Sequence, residues 1–402
     1  YSKPHFERYS TGPESVFSEE EEFYRNKNLK YEKNIFKINF MDLDIDLRNS
    51  VSVIGDINIK LLKNTNNITF TLYRKLKVKE IILNNKKIKF NQNDDNFKIY
   101  FPEKYYKNKT LTIKINYEGL TSQKYFSGDK ASYLTSKYAW LPYPGNTNVF
   151  YTENTNINTT PLENNNIVKY TINVKHNYDK LVTNLNKHGN KLFGKSNGVS
   201  LIGGNLNYFS LNNKQYYYNS TFVDFNFENA DYERFLNKYT NVNNQIRSVL
   251  NLEEKEFDKI IMLPYSNFET RSIYQLLSTE SGNLLLWSDL LEFKENYILD
   301  TAISSTINSN IEYACQDALI KRFFYESLQN YLYKKNNYKF VEQFDEKNLL
   351  KLENELFLDI IDYLSSKNDF EVKIFFQNWY KKMCSNDKVT LEDIRELFLY
   401  IP

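Results

Sequence analysis

The feature that most narrows the possible folds is an apolar residue at every second position, repeated in segment after segment of the first half of the chain. Phe36, Ile38 and Phe40 alternate with polar neighbours, as do Leu43, Ile45 and Leu47, then Ile57, Ile59 and Leu61. Ile68, Phe70 and Leu72 follow, and later Leu111, Ile113, Ile115 and Tyr117. Successive side chains of a strand point to opposite faces, so this period belongs to half-buried antiparallel sheet. Val168, Tyr170, Ile172 and Val174 repeat it, and Leu201-Ile202 leads into Gly203-Gly204. Asn84-Asn85 and the Asn/Asp-rich run 91–96 supply hairpin turns. The expectation is an all-β domain over residues 34–224, behind a polar segment or linker at 1–33.

Past residue 225 the period lengthens to that of helices, and no proline stands between Pro264 and Pro402. Phe235, Leu236, Tyr239, Val242, Ile246, Val249 and Leu250 form one apolar stripe, with Asn229 or Asp231 as an N-cap. The short apolar runs 259–263 and 283–287 are expected to be buried strands. Segments 300–333, 345–364, 369–384 and 390–400 then carry apolar residues at helical spacing, and Thr390 with Asp393 makes a capping box. The fold class is α+β: an antiparallel β domain followed by a mostly helical domain over 225–402.

The 52 basic and 50 acidic side chains nearly cancel, which argues against nucleic acid as a partner. No segment approaches the roughly 20 apolar residues of a membrane-spanning helix. The start at Tyr1 and the polar opening suggest a piece of a longer protein. Two cysteines, Cys315 and Cys384, make no disulfide framework, and both fall in helical pattern where a buried thiol is the simpler reading. There is no GxxxxGK[ST] loop and no GxGxxG. The three histidines, His5, His176 and His188, all precede the second domain, so neither cysteine nor any serine of that domain has an imidazole base there.

Several strings and their order resemble the aminopeptidase N family of gluzincin metallopeptidases. They are Leu-Thr-Ile-Lys-Ile-Asn-Tyr-Glu-Gly at 111–119, Ala139-Trp140-Leu141-Pro142-Tyr143-Pro144, Ile202-Gly203-Gly204, the strand from Gly282 to Asp289, and the closing Thr390-Leu391-Glu392-Asp393. The resemblance implies a saddle-like β domain and a thermolysin-like second domain. It is similar in particular to the branch attached to bacterial ABC-transporter permeases, where the peptidase-like portion lies outside the membrane between flanking spans.

In that family two histidines at i and i+4 on one helix hold zinc, a glutamate between them is the general base, and a glutamate on the next helix completes the site. Here the corresponding run is Ile298-Leu299-Asp300-Thr301-Ala302-Ile303-Ser304-Ser305-Thr306. Thr301, Ala302 and Ser305 fall where the histidine, base and histidine would stand; Ala302 has no proton acceptor and neutral hydroxyls are poor zinc ligands. Glu326 matches the remaining glutamate. Asn267, Glu269 and Arg271 lie in the segment that lines the substrate groove of the family, where a glutamate takes the peptide amine; Glu269 either holds such a cation or pairs with Arg271 or faces solvent.

The reading is a catalytically inactive ectodomain with no metal and no cofactor, binding a peptide or protein partner at a bacterial cell surface. ABC-transporter subunits are its expected neighbours, and membrane contact runs only through segments outside this chain. The alternatives are a peptidase using carboxylate ligands, with Asp300, Glu312 and Glu326 around a hard cation, and a structural spacer.

Overall fold

The computed structural model describes residues 20, 22–25, 27, 34–122, 125–136, 138–153, 156–159, 167–218, 229–254, 256–263, 277–279, 284–288, 299, 302, 303, 306, 318–336, 351–384 and 389–397. The chain forms two compact units, one of residues 1–224 with 258–269 and 280–289, the other of 225–257, 270–279 and 290–402.

The first unit is built on an eight-stranded sheet in the order Asn186–His188, Lys191–Ser196, Val168–Lys175, Phe36–Asp46, Val51–Leu61, Thr110–Gly119, Leu76–Leu83 and Lys86–Lys87. Neighbours are antiparallel except Phe36–Asp46 and Val168–Lys175, which run parallel with Phe40 opposite Lys169. A four-stranded sheet of Tyr143–Pro144, Thr65–Thr71, Asn96–Tyr105 and Phe90–Asn93 lies against it. Phe36 meets Phe70 across the two layers at 4.8 Å between ring centroids, and Phe70 stacks on Phe97 at 5.0 Å. The alternation read from the sequence is the alternation of burial: Ile57, Ile59, Leu61, Ile68, Phe70, Ile113, Ile115, Tyr117, Ile172 and Val174 all point inward. Each such side chain contributes roughly 1.5–3 kcal/mol through the apolar area it removes from water.

One member of the alternation departs. Phe40 is 37% exposed, because the pairing of Phe36–Asp46 with Val51–Leu61 shifts between Ile38 and Phe40. The bulge moves the inward face from even to odd positions, so Met41, Leu43 and Ile45 continue the core that Phe36 and Ile38 begin. The hairpin turns need left-handed backbone, which asparagine tolerates better than most residues. Asn84 and Asn85 have φ of 52° and 59°, and Asn212 and Asn213 have 49° and 63°.

The polar segment expected at 1–33 is not wholly a linker. Glu20 and residues 22–24 form a helical turn whose Tyr24 is fully buried in the β core, edge-on to Phe150 at 5.1 Å. Tyr24 donates to Asp95 Oδ1 at 2.9 Å, and Tyr73 donates to Glu20. Asp95 also accepts from Arg74 N at 3.0 Å and Val149 N at 2.7 Å, so one buried carboxylate ties the N-terminal turn to two loops.

The two short strands placed in the sequence with the second domain belong to the first unit. Lys259–Leu263 runs parallel to Lys214–Tyr218 and to Leu284–Ser288, continuing a sheet opened by Asn207–Leu211. The Lys259 ammonium caps the carbonyls of Thr183 and Leu185 at 2.9 and 3.3 Å, and its burial lowers its pKa.

The second unit is helical: α1 (Asn229–Val249), α2 (Ala318–Lys335), α3 (Lys351–Ser366), α4 (Asp369–Cys384) and α5 (Leu391–Leu397). Its core is aliphatic with an aromatic cluster between α2, α3 and α4. Phe324 meets Trp379 edge-on at 5.2 Å and Phe376 at 5.8 Å, and Phe323 meets Phe357 at 5.4 Å. Helix starts carry their own caps. Asn368 Oδ1 accepts from Phe370 N and Glu371 N at 3.0 Å each, while Glu371 Oε2 accepts from Asn368 N at 3.1 Å. The capping box at Thr390 forms as read, with Asp393 N donating to Thr390 Oγ1 at 3.2 Å and Thr390 N donating to Asp393 Oδ2 at 2.7 Å. Among the described residues no helix is long and apolar enough to cross a membrane.

Candidate functional site

The helical stretch that contains Ala302 lies in the second unit, and its described residues sit at the spacing of one buried face. Leu299, Ala302 and Ile303 are 0% exposed and Thr306 is 2% exposed. The Thr306 hydroxyl donates back to Ala302 O at 2.8 Å and accepts from Asn243 Nδ2 of α1 at 3.1 Å. Asn243 is itself 1% exposed, and its Oδ1 has no hydrogen-bond partner among the described residues. A buried amide and a buried hydroxyl therefore hold this stretch to α1, on a face otherwise alanine and branched aliphatic.

Glu326 is on α2. Its Oε1 accepts from Arg322 Nε at 2.8 Å, one helical turn away, and its Oε2 is buried with no partner among the described residues. With its side chain 21% exposed, this carboxylate is neutralised by its own helix. The next residue, Ser327, is fully buried, and Phe323 and Phe324 on the same helix are core. Trp379 and Tyr380 are core as well, as their helical spacing implies.

Other reactive groups are held in inert settings. Cys384 is half-buried and burial pushes its thiol up to about 11, so the nucleophilic thiolate is scarce at neutral pH. His176 stacks on Tyr178 at 5.2 Å and accepts from Tyr178 N at 3.1 Å, and desolvation lowers its pKa. His188 is exposed on its strand. Asn267, Glu269, Arg271, Thr301 and Ser305 lie outside the described residues, as do Asp300, Glu312 and Cys315. The structure thus places Ala302 and Glu326 in one unit. Sequence reasoning missed Asn243 and Thr306. The available signal for Asn243 was a polar residue on the stripe that runs through Tyr239, Val242 and Ile246.

The chain is similar in structure to an M1 zinc metallopeptidase point mutant from Deinococcus radiodurans, with a TM-score of 0.55, 11% sequence identity, and 90% of each chain covered. The same enzyme in complex with a Tyr-Ser-Ala substrate gives a TM-score of 0.54 at 10% identity over 91% of each chain. The fold is that of the M1 zinc metallopeptidases. Identity this low carries architecture alone: the β domain followed by the helical domain is the M1 arrangement. No protein-family model matches the chain, and no curated protein matches it.

The M1 fold implies a zinc ion, and the described residues Ala302, Thr306 and Glu326 do not by themselves supply a donor set for one. Zinc asks for imidazole, thiolate or carboxylate donors with a free lone pair. Ala302 offers no donor atom and the Thr306 hydroxyl is engaged with Asn243 and its own backbone, so of these described residues only Glu326 keeps a free oxygen, Oε2, and one carboxylate oxygen does not hold zinc. Among the described residues no group of three His, Cys, Asp or Glu side chains is placed to hold a metal.

Proposed function

We propose that this chain is a catalytically inactive M1-type module that binds a peptide or a partner protein, at the outer face of a bacterial membrane and within an ABC-transporter permease or sensing assembly. The observation that carries the loss of catalysis is Ala302. By the likeness of the sequence strings it is assigned to the position of the family's general base, and it is fully buried on a stretch whose one described polar side chain, Thr306, bonds to Asn243 of α1. Activating water for attack on a peptide bond takes a proton acceptor and a Lewis acid together, and the described donors provide neither at that position.

What remains of an M1 fold without the metal is its capacity to recognise peptide. Asn267, Glu269 and Arg271 are the residues proposed to line that groove, and Glu269 is proposed to take the free amine. The setting in a transporter assembly rests on the likeness of the sequence strings alone.

The test is metal analysis of the purified protein together with aminoacyl reporter hydrolysis. The expected result is less than a tenth of an equivalent of zinc and no hydrolysis above buffer. Stoichiometric zinc with turnover would overturn the proposal. Turnover restored by manganese or calcium alone, and lost on Glu326→Gln, would establish the carboxylate-ligand alternative in its place.

A further inference from the structure

The outward face of the four-stranded sheet carries a polar groove whose lining residues all belong to the first unit, whereas Ala302 and Glu326 belong to the second. The groove's volume is about 490 Å³. The cross-strand register sets its floor in rows: Asn67 stands opposite Tyr100, Thr69 opposite Lys98, and Asn91 beyond Lys98 on the next strand. Asn96 and Asn93 close the series. From Asn96 to Tyr100 the floor runs roughly 13 Å at the rise of an extended strand. The loop at Gly145, Asn146 and Asn148 completes the lining with Asn34, whose side chain lies against Gly145, and with Lys27.

Asparagine is common in this chain, 55 of 402 residues, or about one in seven. In the groove it is seven of fifteen lining residues. That enrichment exceeds what composition supplies. Asn91 and Asn93 are exposed and make no side-chain hydrogen bond among the described residues, and Tyr100 is 37% exposed. The charges are modest. Lys27 is paired with Asp94 at 3.1 Å, and Lys98 and Lys89 lie 5.6 and 5.9 Å from the centre of the Tyr100 ring.

We propose that this groove binds an oligosaccharide chain laid across the sheet, with one sugar ring on Tyr100 and its hydroxyls on the asparagine amides. A carboxamide presents a donor and an acceptor in one plane, the complement of two adjacent hydroxyls, each of which both donates and accepts. The apolar C–H face of a pyranose suits a tyrosine ring, and Tyr100, 37% exposed, offers one on which the sugar would displace the Lys89 and Lys98 ammoniums. An extended peptide seeks a sheet edge with open backbone groups; here rows of side chains cover the face of the sheet, with the edge strand Phe90–Asn93 at one margin, and the side-chain rows favour the sugar. A polyanion would meet Asp94 at the groove's end. This proposal stands apart from the fate of the metal site, and either can fail alone.

The test is calorimetric titration of the full chain with chitohexaose, cellohexaose and hexagalacturonate. At least one is expected to bind. Tyr100→Ala should weaken that binding about tenfold or more, and the Asn91→Ala/Asn93→Ala double variant should weaken it by a similar factor. All these side chains are exposed, so an unchanged melting temperature separates lost binding from lost folding. Absence of binding by all three sugars at millimolar concentration would overturn the proposal, as would binding that both variants leave unchanged. Hexagalacturonate binding that survives Tyr100→Ala would mark simple pairing with Lys89 and Lys98 and also overturn it. So would an extended-peptide ligand that competes for the same residues.

Discussion

Asp95 makes a sharp test of how the first unit is held together. Its carboxylate is 0% exposed, and burial pushes its pKa from 3.8 up to about 6 despite three hydrogen bonds that favour the charged form. An acid raised in the folded state is protonated more readily there than in the unfolded chain, so its ionisation opposes folding at high pH. The opposition amounts to about 3 kcal/mol once pH is well above 6, relaxes as pH falls through 6, and is gone below 3.8. Between pH 7.5 and 4.5 the wild type should therefore recover about 2 kcal/mol from this group.

Asp95→Asn removes the titration but not the geometry. Asp95 Oδ1 accepts from Tyr24 and Arg74 N, and Oδ2 accepts from Val149 N. An amide must set its NH₂ against one of those backbone donors, which costs about 1–3 kcal/mol. At pH 7.5 the cost and the relief nearly offset, and the variant should unfold close to the wild type. At pH 4.5 the relief has largely vanished and the variant should be less stable, the gap widening by about 2 kcal/mol. Urea unfolding at the two pH values measures this. Taking the difference between proteins cancels groups that act in the opposite sense, such as Asp393, which Lys382 and Thr390 hold down at about 2. Stability curves that stay parallel across the range would refute the reasoning.

Thr306→Val should destabilise the second unit by about 1–3 kcal/mol in thermal or urea unfolding, because it strands the buried Asn243 amide; Asn243→Leu with Thr306→Val should recover most of that loss. Trp379→Ala should cost about 3–5 kcal/mol, read as a lowered midpoint of the helical transition, since it empties the centre of the Phe324, Phe375 and Phe376 cluster. Thr390→Ala should cost about 1 kcal/mol through loss of the α5 cap, with hydrogen exchange accelerating in residues 391–394 and nowhere in the β unit. Because Asp393 is depressed, the stability it contributes is present above its ordinary 3.8 and is lost only as pH falls toward 2.

The β unit was largely legible in the sequence because a strand with one wet face writes its orientation into every second residue. The phase change from Ile38 to Met41 was in the string as well, but only the pairing with Val51–Leu61 showed that a bulge absorbs it. The strands 259–263 and 284–288 were visible as apolar runs, while their membership of the first unit was not, since parallel pairing joins segments with no local mark of their partner. At the candidate site, the sequence alone shows that Ala302 carries no proton acceptor. That Thr306 reaches Asn243 across 63 residues needed the packed helices.

What the sequence determined alone was chemical: the absence of histidine from the second domain, the period of each element, and the cap at Thr390. Those follow from residue identity and from contacts a few positions apart. Tertiary structure decided which polar groups became buried partners. Tyr24 in a polar opening, Asp95 beneath two loops, and the asparagines gathered on one sheet face are products of the register between distant strands, which no local pattern encodes.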